Sequence, residues 1–338
     1  MNDRRFTIFI RDKLKLPWLI SFMLVMLFLG IIINRFEPYN FFKILAPILL
    51  LMMTSTIWVL KIVFKNIDNF KQYYEKHQIF QDSFKLLFDV ENRGIITIVF
   101  TIIVFIYFIC LYKLGFFNLD IMGCYTLFLG GGTFFFALIG YELHIRLTIC
   151  LKSLEKQCYS GSFEYNLRNP KYTSWLFDLY KLSKLLRISS FVIGLLFVSE
   201  NTLFFVANMS YDFRFFNSLH FLNNLEELPL ELWIIWIFIF ISIALIIPVI
   251  ALIQINSLHN IVLQIEKDFN LKIMDEYKNT PLLQDANHYF LLLQASNIVE
   301  KSLDETYLLK KNEKLVAIGS SVLTCFVHIL TIINFLSV

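Results

Sequence analysis

Residues 16–33 read LPWLISFMLVMLFLGIII, an apolar run with no charged side chain. At 1.5 Å per residue a helix over it would extend about 27 Å, close to the ~30 Å hydrocarbon thickness of a bilayer. The run is too long for the apolar core of a cleavable leader, and no small-residue cleavage motif follows it, so the expectation is that it stays in the chain. Six further stretches have the same character: Phe41–Phe64, Ile95–Leu114, Asp120–Ile145, Ile188–Met209, Leu230–Ile255 and Leu315–Leu336. Each has the length a membrane helix requires. The predicted fold class is therefore an all-α polytopic membrane protein, with seven transmembrane helices in a single domain over 1–338.

Composition agrees. Of 338 residues, 57% are hydrophobic and 17% charged, and 37 are Phe. Ordinary soluble domains carry about 25% charged residues, so the balance excludes that default as well as disorder. The five cysteines, Cys110, Cys124, Cys150, Cys158 and Cys325, show no CxxC or Cys/His spacing, so no metal site or disulfide framework is implied. No P-loop, GxSxG or HExxH is present, and the expectation is a protein that is not an enzyme and has no cofactor.

The net charge of +3 becomes informative only once it is placed along the chain. All of the 30 Lys and Arg except Arg35, Lys43, Lys113 and Arg214 fall in the N-terminus or in the segments 61–94, 146–187 and 256–314. Retention of basic residues on the cytoplasmic side then puts the N-terminus inside and the C-terminus outside. The long connections become cytoplasmic extensions, a helical layer built from 65–94, 146–187 and 256–314.

Those extensions carry helical periodicity. Phe70, Tyr73, Tyr74, His77, Phe80, Phe84, Leu87 and Phe88 recur at steps of three and four, as one face of an amphipathic helix does. Ile255, Leu258, Val262, Ile265 and Phe269 do the same, and no Gly or Pro interrupts 249–279. The sixth apolar stretch is expected to run on as one long helix until Asn279-Thr280-Pro281 breaks it. Such faces suit helix packing within the chain or around a symmetry axis, which favours a homo-oligomer; lying on the lipid surface is the alternative.

Polar groups at membrane depth are functional candidates by default. In the last stretch Ser321, Thr324, His328, Thr331 and Asn334 follow one another at steps of three, four, three and three, on one side of a helix. That side either lines water or makes interhelical hydrogen bonds, and hydroxyls bonding their own backbone are the competing explanation. The candidate pore helix is 315–336. Glu200 and Asn201 lie within the fifth stretch and would face a bundle, a vestibule or a cation. Glu142, His144 and Arg146 stand at the cytoplasmic end of the fourth and read as interfacial. Gly130-Gly131-Gly132 permits a kink or very close packing, and Pro248 is expected to bend its helix.

One cytoplasmic segment interleaves basic and aromatic residues: Arg168, Lys171, Tyr172, Trp175, Tyr180, Lys181, Lys184 and Arg187, with Tyr165 before them. Stacking aromatics beside phosphate-neutralising cations suit a nucleotide or single-stranded DNA. The competing explanation is the general basic excess of inner loops with aromatic anchors near a span.

The layout resembles the insect gustatory- and odorant-receptor class of seven-helix ion channels. The last span of that class carries Thr-Tyr, five hydrophobics and Gln-Phe; here Val327-His328, Ile329-Leu330-Thr331-Ile332-Ile333 and Asn334-Phe335 stand in those places. Only the Phe is identical, with His for Tyr and Asn for Gln. The resemblance implies four subunits around one pore lined by the last span, with cytoplasmic helices as a shared anchor. The chain also looks like membrane effectors of bacterial anti-phage defence, which permeabilise the membrane when a nucleotide or DNA-oligomer signal changes. That resemblance implies a bacterial inner (plasma) membrane location and makes the basic–aromatic segment the sensor.

Taken together, the expectation is a ligand-gated homotetrameric ion channel whose partners are membrane lipid, its own copies and a cytosolic nucleotide or single-stranded DNA. A chemosensory cation channel and a secondary transporter with a site near Glu200 are the alternatives; an odd number of spans without an inverted repeat counts against the latter.

Overall fold

The structure, a computed structural model, describes residues 8–36, 40–77, 121–159, 173–190 and 246–278, with isolated positions between 84 and 109 and at 294, 297 and 319. All regular structure among the described residues is helical. One π-helical turn, Phe9–Lys13, precedes α1 (Leu16–Phe36); α2 (Asn40–His77), α3 (Ile121–Tyr159), α4 (174–190) and α5 (Ile247–Lys278) follow. Four of these helices contain segments long and apolar enough to cross a membrane: Leu16–Ile33, Pro47–Lys71, Leu127–Tyr159 and Pro248–Ile273. The expected spans at 95–114, 188–209 and 315–336 lie almost wholly outside the described residues.

Local chemistry explains how long apolar helices tolerate their hydroxyls. Thr54 Oγ1 donates to the Leu50 carbonyl at 2.8 Å, Thr56 to Met52 at 2.7 Å and Thr133 to Leu129 at 2.8 Å. Each of these three hydroxyls is satisfied by its own preceding turn.

The helices pack in two apolar groups. In the first, Leu19, Met26 and Ile33 of α1 meet Leu50, Met53 and Ile57 of α2 and Tyr125 and Leu129 of α3. Only 11% of the α1 span is buried, and Trp18, Leu24, Val25, Phe28 and Ile31 are exposed, a surface that matches hydrocarbon rather than water. Two small residues allow the close approach. A Cβ on Gly30 would lie 2.8 Å from Tyr125 Oη, and one on Gly132 would lie 2.7 Å from Met53 Sδ. Gly130-Gly131-Gly132 lies inside a continuous α3, and of the three Gly132 makes the close approach while Gly131 faces open space.

The larger group joins α2, α3, α4 and α5. Val63, Phe64 and Ile67 meet Leu147, Leu151 and Leu154 across α2 and α3, while Leu176, Leu179 and Leu182 come from α4. The periodic face of α5, Ile255, Leu258, Val262, Ile265 and Phe269, is buried throughout. That helix ends at Lys278, where Asn279-Thr280-Pro281 begins. The expected single helix through Phe70 and Phe84 is different in the structure. Fourteen residues of straight helix would separate them by about 21 Å, yet their ring centroids are 4.7 Å apart at 73°. The two aromatics belong to segments that fold against each other, with Phe70 on the last part of α2.

Candidate functional site

Among the described residues, buried polar side chains gather at a junction of α3, α4 and α5. His144 and Thr148 are successive turns of α3, Ser183, Leu186 and Ser190 lie along α4, and Gln254 enters from α5. Ser183 and Gln254 have no exposed surface, and His144 is 3% exposed. Polar groups this deep must pair with one another or cost several kcal/mol each in hydrocarbon.

They do pair. Gln254 Nε2 donates to the His144 carbonyl at 3.0 Å and to Thr148 Oγ1 at 3.0 Å, and lies 3.3 Å from His144 Nδ1. Its Oε1 accepts from Ser183 Oγ at 3.2 Å. His144 Nε2 sits 2.7 Å from Ser190 Oγ and 3.1 Å from the Leu186 carbonyl. Thr148 Oγ1 in turn donates to the His144 carbonyl at 2.8 Å. One amide thus ties three helices together.

The pattern also fixes the protons. Turning the Gln254 amide over would set its oxygen against the His144 carbonyl, acceptor against acceptor, so the nitrogen belongs where it is. The Leu186 carbonyl can only accept, so Nε2 carries the ring hydrogen and Nδ1 is left as the acceptor facing the amide. Ser190 and His144 have the separation of a nucleophile and its base, but Nε2–H is a donor and cannot take the serine proton. The junction holds helices in place and has no activated nucleophile.

Two ion pairs flank it. Glu142 accepts from Arg146 Nε at 2.9 Å and Nη2 at 2.5 Å, one turn along α3, with both side chains about nine-tenths buried. Glu155 accepts from Lys152 at 2.8 Å and from Asn260 Nδ2 of α5 at 2.6 Å, a second polar tie between α3 and α5. Glu142 and His144 are buried among the helices and Arg146 is partly buried beside them.

The basic–aromatic segment divides by helix face. Trp175 is 2% exposed and packs in the larger core, and Tyr180 packs partly against it. Lys181 and Lys184 are exposed, with Lys184 Nζ 5.9 Å from the Tyr180 ring centroid. Arg187 is half-buried and donates through Nε to the Ser183 carbonyl at 3.3 Å. Asp178 sits among them, its carboxyl pushed above the ordinary range by burial, with Lys181 acting the other way. Arg168, Lys171, Tyr172, Glu200, Asn201, Ser321, Thr324, His328, Thr331 and Asn334 lie outside the described residues.

Gln254 is the residue that sequence reasoning passed over. Its signal was there, a lone amide between Ala251 and Ile255 in an apolar run, but it reads as the frayed end of a span until α3 and α4 are set beside it. Compared with known protein families, characterised proteins and solved structures, the chain matches none.

Proposed function

We propose that this chain is the subunit of a homotetrameric, ligand-gated ion channel with seven spans, N-terminus cytoplasmic and C-terminus outside. Its pore is lined by 315–336 through Ser321, Thr324, His328, Thr331 and Asn334. Its setting is the bacterial inner membrane, where it acts as an effector of anti-phage defence controlled by a cytosolic nucleotide or DNA oligomer.

The observation that carries the reading is a contrast between two polar sets. Among the described residues the fully buried His144 and Gln254 find partners on other helices, whereas the buried Nδ1 of His259 has none, and Thr54 and Thr133 use their own helix's carbonyls. Hydroxyls at 321, 324 and 331 can do the latter. In a helix over 315–336 the Asn334 amide could do so too, as Asn66 Nδ2 donates to the Ile62 carbonyl at 2.9 Å, but the His328 imidazole would need a partner off its own turn. It then requires water, another helix or another copy of the chain, and a polar seam facing a symmetry axis supplies the first and the last.

The junction suggests how a ligand would act. The exposed side of α4 carries Lys181 and Lys184, while its inner side holds Ser183 and Ser190 against α3 and α5. A phosphate-bearing ligand on the outer side that prefers one position of α4 shifts the balance between closed and open arrangements. Ion flux into liposomes containing only the purified chain tests this. A flux that responds to nucleotide or oligonucleotide supports the channel. Saturable solute uptake without ionic current, lost in Glu200→Gln, would replace it with a transporter.

A further inference from the structure

The chain just ahead of α1 forms a short hook, residues 8–15, pinned along α2. Its π-helical turn closes where Leu14 N donates to the Phe9 carbonyl at 3.0 Å. Lys61 Nζ donates to the Leu14 carbonyl, and Arg11 Nη1 pairs with Asp68 at 2.8 Å. Lys61, Lys65 and Asp68 occupy one face of α2, at i, i+4 and i+7. The seven residues from Lys61 to Asp68 carry the hook about 10 Å past the start of the first span. That distance is comparable to the headgroup zone on one side of a bilayer, roughly 5–8 Å deep.

Two features of the hook go together. It exposes apolar side chains outside the span, Ile8 at 37% and Phe9 at 52%, next to Trp18 at 69% just inside it. It also carries uncompensated charge. Arg11 binds both nearby carboxylates, Asp12 at 2.8 Å and Asp68 at 2.8 Å, and its hydrogen bond holds Asp12 below the ordinary carboxylate range. Lys13, Lys15 and Lys65 are exposed and make no ion pair among the described residues. Arg11 holds both acids at hydrogen-bond distance, although Asp12 also feels Lys13 and Lys61, and against Arg11, Lys13, Lys15, Lys61 and Lys65 the two carboxylates leave the balance positive.

We infer that this hook is a docking surface for anionic, phosphate-bearing lipid headgroups, with Ile8 and Phe9 entering the acyl boundary and Lys13, Lys15 and Lys65 meeting the phosphates. Apolar insertion combined with lysine attraction is the chemistry by which interfacial segments select anionic bilayers. Because the Arg11–Asp68 pair and the Lys61 bond fix the hook to α2, the lipid it holds also touches the packed helices. A zwitterionic bilayer would satisfy the apolar half alone.

The test uses the full chain in bilayers of mixed phosphatidylglycerol and phosphatidylcholine, comparing the association of spin-labelled forms of each lipid. The wild-type chain is expected to prefer phosphatidylglycerol, less so at high salt. Lys13→Gln with Lys15→Gln is expected to reduce that preference at least twofold, with unchanged helix content. Lys156→Gln with Lys267→Gln removes equal charge from exposed positions elsewhere and should leave it within twofold of wild type. Equal retention of the two lipids by the wild-type chain would overturn the proposal. So would a hook variant that loses less than twofold, or a control pair that loses as much as the hook pair.

Discussion

Gln254 and His144, on α5 and α3, meet twice: the amide nitrogen lies 3.3 Å from the imidazole Nδ1 and 3.0 Å from the main-chain carbonyl of the same residue. Side chain and backbone of one residue are gripped by a single group, and Ser183 of α4 donates to the other end of that amide. Rotation of any one of these helices against the other two breaks at least one of these bonds.

Replacing Gln254 with Leu therefore leaves Ser183 Oγ and His144 Nδ1 buried without their partner. A buried group orphaned in this way costs about 1–3 kcal/mol. Pairwise terms within membranes are smaller, about 0.6 kcal/mol on average and up to ~1.7. A double-mutant cycle of Gln254→Leu with Ser183→Ala, read by thermal or denaturant unfolding in detergent, should give a coupling in that range. Strict additivity would show that the two side chains do not act together.

Gly30 faces Tyr125, whose hydroxyl donates to the Met26 carbonyl of α1 at 2.7 Å. Gly30→Ala puts a methyl into a rigid ring fixed by that bond, and the expected loss is about 1–3 kcal/mol. Tyr125→Phe removes the atom nearest the new methyl and should recover part of it. Gly132→Ala should cost less, since Met53 can swing its sulfur aside. Unfolding midpoints of Gly30→Ala, of Gly30→Ala with Tyr125→Phe, and of Gly132→Ala check the order.

Asp178 offers a pH signature. Its folded-state carboxyl binds a proton more tightly than the unfolded chain does, because burial disfavours the anion. The group's contribution is favourable below the ordinary carboxylate range and is lost as pH rises through that range to its raised folded value. Asp178→Asn should accordingly raise the unfolding temperature at pH 7, with the gain disappearing towards pH 3. A gain that is the same at both pH values would refute the assignment.

On the outer face of α4, Lys181→Gln with Lys184→Gln should leave the fold intact, since both side chains are exposed. Binding of a short single-stranded oligonucleotide should weaken, and the log–log salt slope should fall by about 1.4, the value for two phosphate contacts on a single strand. Arg187→Gln should lower stability as well, because its guanidinium is anchored to Ser183.

The legible parts of the fold were those written as period. The run 16–33 has the length and composition of a membrane helix, and the spacing Ile255, Leu258, Val262, Ile265, Phe269 carries its burial in the residues themselves, because a helix must turn such a face towards apolar surroundings. Phase was harder. Trp175 and Lys184 are close along the chain and look like one patch, yet nine residues are about two and a half turns, which sets them on opposite faces. The polar junction was least legible. His144, Ser183 and Gln254 come from three separate stretches, and nothing local marks an amide as the partner of a distant imidazole.

The central claim is that the chain conducts, through the side of 315–336 that bears Ser321, Thr324, His328, Thr331 and Asn334. Single-channel recording of the purified protein in a planar bilayer tests it most directly. Discrete unitary steps are expected, with amplitude or ion preference altered by Thr324→Leu and Thr331→Leu. Steps identical in both variants would move the pore elsewhere. Silence of the well-folded wild-type protein under every nucleotide and oligonucleotide condition would contradict the account.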